Sequence, residues 1–71
     1  MDILILKTDI NSEGEFLSVK NKLSECYLLN ECTIDLEDRD KVLRVIGNDL
    51  NLTEVTSNVN KLGFACKELL D

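Results

Sequence analysis

The sequence has no histidine, no proline and no tryptophan. Without histidine it lacks the commonest general base near neutral pH and the commonest nitrogen ligand for metals. Without proline, no helix or strand is interrupted by a residue that lacks an N–H. Aromatic residues make up 4% of the chain, as one tyrosine and two phenylalanines. Positive charge is scarce too: eight basic residues face fourteen acidic ones, a net charge of -6. A polyanion would be repelled over most of such a surface, which argues against nucleic acid as a partner. No apolar run approaches the roughly 18 residues that span a membrane. The start, Met1-Asp2, has neither the basic residues nor the small-residue cleavage site of a secretory signal. A cytoplasmic location is therefore expected.

Three cysteines are present, Cys26, Cys32 and Cys66. The number is odd, and no pair has the spacing of a metal finger or a redox motif. They read as reduced residues that pack like small hydrophobes. Ser12, Ser18, Ser24 and Ser57 have no histidine to activate them. No catalytic constellation emerges, so the chain is expected not to be an enzyme and to carry no cofactor.

The 71 residues form one domain, 44% hydrophobic and 31% charged, with no linker or low-complexity tract. Residues 2 to 9 predict a strand. Ile3 and Ile5 lie on one parity and Leu4 and Leu6 on the other, as in a strand covered on both faces. Ser12 and Glu15 have the spacing of a capping box. Phe16, Val19, Leu23 and Cys26 then recur at three and four residues, which predicts a helix over 13–25. Cys32, Ile34 and Leu36 alternate with Thr33, Asp35 and Glu37 in a half-buried strand. Asp38-Arg39-Asp40 forms a turn into a third strand, Val42 to Ile46. Asn51 and Glu54 repeat the capping spacing before a stripe of Val55, Val59 and Leu62, and Gly63 fits the left-handed position that ends a helix. Phe64 to Leu69 predicts a short last strand.

Strand, helix, strand, strand, helix, strand, with right-handed crossovers, gives a ferredoxin-like α/β plait of the α+β class. Its four-stranded antiparallel sheet has spatial order 4-1-3-2, and both helices lie on one face.

Several stretches resemble the heavy-metal-associated (HMA) domains, the copper-chaperone family. "VKNKLSE", residues 19 to 25, is similar to that family's first helix after the metal loop. "TIDLEDRDKVLRV", 33 to 45, resembles its second strand, turn and third strand. "VNKLGF", 59 to 64, resembles its last helix. The family's loop motif is Gly-Met-Thr-Cys-x-x-Cys. Anchored on Val19 and Leu23, the motif falls on "DINSEGE". Asp9 then takes the glycine's place, Ile10 the methionine's and Asn11 the threonine's, while Ser12 and Glu15 stand where the two cysteines would be.

The resemblance implies a loop that has kept its architecture and lost its soft-metal motif. Thiolates three apart at a helix start suit Cu(I), since sulfur is polarisable and the helix end favours negative charge. A hydroxyl and a carboxylate are hard ligands. Asp9, Asn11, Ser12, Glu13 and Glu15 do supply oxygens enough for Mg2+ or Ca2+, although acids at a helix start are favoured by the dipole alone. The acidic run "DLEDRD", 35 to 40, lacks the central glycine and final glutamate of a calcium-binding loop and reads as a solvated hairpin tip.

Two other families share the topology. RNA recognition motifs stack bases on aromatics of the central strands, which here read "ILILK" and "KVLRVI". Regulatory domains of the ACT type usually use a loop glycine after the first strand, and "TDINSEGE" offers Gly14.

The expected function is therefore that of a small binding or interaction module. The alternatives are residual metal handling and small-ligand regulation of the ACT type. The expected contact surface is the sheet face away from the helices. With Leu4 and Leu6 outward it holds Leu4, Leu6, Val42, Arg44 and Ile46 with Thr8 beside them, while the apolar character of both parities leaves the facing of the first strand open. A protein partner, or a second copy of the chain, would dock there.

Overall fold

A computed structural model describes residues 1–69 of the chain. The elements are β1 (Asp2–Thr8), α1 (Glu13–Cys26), β2 (Leu29–Asp35), β3 (Val42–Gly47), α2 (Leu52–Lys61) and β4 (Cys66–Glu68). The sheet has the order β2-β3-β1-β4, and all its pairings are antiparallel. This is the βαββαβ plait expected from the sequence. β2 begins three residues before Cys32, with a register shift between Leu29 and Glu31. β4 is shorter than the expected 64–69. Among the described residues no helix is long and apolar enough to cross a membrane.

The core lies between the sheet and the helices. Leu6, Leu43, Val45 and Cys32 come from the sheet, Phe16, Val19 and Leu23 from α1, and Val55 and Val59 from α2. Ile10, in the loop before α1, is fully buried among them.

Both helices are closed by hydrogen bonds that take up their spare backbone groups. Asn51 caps α2, its Oδ1 accepting from the Glu54 N–H at 3.0 Å. Glu54 does not reach back. It accepts instead from the Tyr27 hydroxyl at 3.0 Å, which ties the end of α1 to the start of α2. At its other end α2 finishes in a Schellman motif: Gly63 N–H donates to the Asn60 carbonyl and Phe64 N–H to the Val59 carbonyl. Gly63 has φ +99, a region that penalises any Cβ. Gly47 is needed for a different reason. A Cβ there would lie 2.7 Å from the Leu28 carbonyl oxygen and 3.3 Å from Leu29 Cα, both backbone atoms. Gly47→Ala should therefore force β2 and β3 apart and cost about 1–3 kcal/mol in a urea melt.

The orientation of β1 differs from the sequence expectation. Leu4 pairs with Val45 and Leu6 with Leu43, both core residues, while Ile3 pairs with Ile46 and Ile5 with Arg44. Leu6 is 0% exposed and Ile3 55%. Leu4 and Leu6 therefore belong to the core side, and Ile3 and Ile5 take their place on the open face. Thr8 also points inward. The reason lies at the end of the strand: the odd parity continues into Lys7 and Asp9, the even parity into Thr8 and Ile10. Burying the odd side would strip a lysine and an aspartate of water, which costs far more than burying a threonine whose hydroxyl is bonded. That hydroxyl donates to the Lys41 carbonyl at 2.6 Å and accepts from the Ile10 N–H at 3.3 Å. Thr8→Val would leave both backbone groups unpartnered, and a loss of about 1–3 kcal/mol is expected in a denaturant melt.

Candidate functional site

The loop between β1 and α1 leaves the sheet at Thr8, anchors Ile10 in the core and enters the helix at Ser12. Ser12 is the N-cap, with extended backbone, and its Oγ accepts from the Glu15 N–H at 3.2 Å. Glu15 reaches back, as its spacing predicts, but one residue further than a standard capping box. Its Oε1 accepts from the Asn11 N–H at 2.8 Å. The Ser12 and Glu15 side chains are thus joined through the backbone of one turn. Glu13 and Glu15 place two carboxylates in the first turn of α1, where the helix dipole favours them.

Asp9 is engaged elsewhere. Its Oδ1 accepts from the Ala65 N–H at 2.8 Å, which fastens the loop to the segment leading into β4. Among the described residues, no three of His, Cys, Asp or Glu converge on a point. The Asp9 and Glu15 carboxylates face backbone donors.

The thiols are dispersed. Cys26 ends α1 and is exposed, Cys32 is buried on β2, and Cys66 is half-buried on β4. Because β2 and β4 are opposite edges of the sheet, Cys32 and Cys66 are kept apart. Burial pushes the Cys32 thiol up to about 11, with Lys20 opposing the shift. Burial likewise pushes the Cys66 thiol up to about 11, against a hydrogen bond with Thr56.

Two expectations follow. With a disulfide reagent at pH 8, Cys26 should react first, half-buried Cys66 more slowly, and Cys32 only as the protein opens. The folded state also holds two protons above pH 9 that the unfolded chain would release. Stability should therefore fall as the pH rises from about 9 to about 11, and a series of thermal melts would record it.

The second candidate surface is the sheet face opposite the helices. Strand pairing places Ile3, Ile5, Ile46 and Val42 on it, with Arg44, Thr33, Glu31 and Asp35. Lys7 and Lys67 pair with each other on the same parity. Of the sequence-expected face residues, Val42, Arg44 and Ile46 are found there. The signal that would have identified Ile3 and Ile5 is the Lys7 and Asp9 that share their parity.

No family model and no curated protein matches the sequence. Solved structures do. The yeast copper transporter domain CCC2A, determined in apo and Cu(I)-loaded states, aligns over 97% of this chain and 96% of its own, with a TM-score of 0.80 and 18% identity. A copper-binding domain from HMA7, a P-type ATPase, aligns over 99% of this chain and 96% of its own, with a TM-score of 0.80 and 14% identity. At these identities the likeness is one of fold: this chain has the ferredoxin-like plait of copper-binding domains.

Proposed function

We propose that this chain is a heavy-metal-associated-type domain whose loop has exchanged soft-metal binding for helix capping, and that it works as a small binding module through its open sheet. The observation that carries this reading is the pair of hydrogen bonds joining Ser12, Glu15 and Asn11. A soft ion requires polarisable donors, and the residues at the motif positions are a hydroxyl and a carboxylate already committed to backbone N–H groups. The three cysteines, all free, suit a reducing cytosol.

The fold of the copper-binding domains supports the assignment to their family. Recognition by an exposed face then takes the place of metal cargo, and the face carries apolar side chains between charged ones. The test is titration of the reduced protein with Cu(I), Zn2+ and Ca2+ against a competing chelator. No one-to-one complex is expected below micromolar free ion. A sub-micromolar one-to-one Cu(I) complex would overturn the reading.

A further inference from the structure

The open face is not uniform, and its charges are arranged across the strands. Lys67 on β4 pairs with Lys7 on β1. On the far side Val42 on β3 pairs with Asp35 on β2. The β1–β3 register runs from Asp2↔Gly47 to Leu6↔Leu43, so its next step sets Lys7 beside Val42. One row thus reads Lys67, Lys7, Val42, Asp35. Lys7 is already paired with Asp40, Nζ to Oδ1 at 3.4 Å, so Lys67 makes the β4 edge basic and Asp35 makes the β2 edge acidic. Below it the Leu69 N–H donates to the Ile5 carbonyl at 2.9 Å, extending a row through Ile5, Arg44 and Thr33. The third row holds Ile3, Ile46 and Glu31. Three of the eight basic residues thus stand at outward strand positions, against two of the fourteen acidic ones.

Such a face is complementary to itself. Two copies stacked face to face about a twofold axis parallel to the strands bring the β2 edge of each over the β4 edge of the other. Asp35 then lies over Lys67 twice, by symmetry, and Ile3 over Ile46. A twofold axis across the strands would instead set the acidic edge on the acidic edge and the basic on the basic. Charge therefore selects the first arrangement, which is also compatible with the aligned packing of two twisted sheets. The size suits a weak, reversible dimer. The 23 strand residues, at about 3.3 Å rise and about 4.8 Å spacing, outline roughly 360 Å² of sheet per copy, the scale of a transient contact. Arg44 opposes the arrangement, because the two guanidinium groups approach each other beside the axis.

We propose that the partner of this sheet face is a second copy of the chain, docked about a twofold axis parallel to the strands, with Asp35 and Lys67 setting the register. The inference rests on the reading of the chain as a binding module, and the two fail separately. The association is measured in chelator and reductant, on a Cys26→Ser background, so neither metal nor a disulfide can bridge the copies.

The test is sedimentation equilibrium on the full chain from about 10 μM to 1 mM, with circular dichroism as a check of folding. Lys67→Glu sets two acids against each other. Thr33→Lys brings a lysine beside Lys67 and leaves Asp35 free for its turn, where its Oδ1 accepts from the Glu37 and Asp38 N–H groups. Each variant alone should weaken the dimer roughly tenfold. Mixed in equal amounts they should associate again, since the lysine introduced in one variant then meets the glutamate introduced in the other. Arg44→Met should tighten the dimer. A parent chain that stays monomeric at 1 mM, a dimer indifferent to both charge variants, or a mixture that fails to recover would each overturn the proposal.

Discussion

A chain carrying both Ser12→Cys and Glu15→Cys is expected to bind one Cu(I) ion with sub-micromolar affinity, where the parent binds none at the same chelator concentration. The gain should be on the order of a thousandfold or more, about 4 kcal/mol. Position 12 is the N-cap and position 15 the third helical residue, and their side chains already share one turn. Two thiolates there would face the same helix end, whose dipole favours their charge and lowers their affinity for protons. The surrounding loop needs no rebuilding, because Ile10 and Thr8 hold it to the core. The apo variant should be less stable by about 1–2 kcal/mol, since both capping interactions are gone. Copper should restore that loss by mass action. A variant that folds yet gains no affinity would show that the loop cannot gather two sulfurs.

Ile10→Ala should have the largest effect on stability of any change in the loop. Ile10 is fully buried in the cluster formed by both helices and the sheet. Its truncation removes three heavy atoms and leaves a cavity that the anchored loop cannot collapse to fill. A cost of about 2–4 kcal/mol is expected. In a domain this small that corresponds to a fall in melting temperature on the order of 15 °C. Ile10→Met conserves volume and should cost less than about 1.5 kcal/mol. Scanning calorimetry on the two variants separates an anchoring residue from a replaceable loop side chain. Equal melting temperatures for Ile10→Ala and the parent would remove Ile10 from the core.

The plait was legible because each element carries its own signal. The stripe of Phe16, Val19 and Leu23 has helical spacing, Ser12 and Asn51 have the spacing of caps, and Gly63 meets a left-handed backbone that only glycine adopts freely. What apolar alternation could not settle was the facing of β1, where both parities are hydrophobic. The deciding residues lie past the apolar run, in Lys7 and Asp9 against Thr8 and Ile10. Leu4 and Leu6, outward in the sequence expectation, lie on the core side, while Val42, Arg44 and Ile46 lie on the open face.

The loop was legible residue by residue for Ser12 and Glu15. The bond from Ala65 to Asp9 was not, because it joins groups 56 positions apart that meet only after β4 has docked. The use of Glu54 by Tyr27 is similar: local spacing predicts a cap, and a long-range hydroxyl takes the carboxylate instead.

The register shift at Leu29 and Glu31 has a bearing on how this chain behaves in crowded solution. β2 is an outer strand, and an outer strand with a regular row of free amides and carbonyls invites foreign strands to extend the sheet. An irregularity of this kind bends the row and spoils the spacing a newcomer would have to match. The opposite margin, β4, is only three residues long. Both margins of the sheet thereby offer a foreign strand a shorter regular template than a full-length edge would.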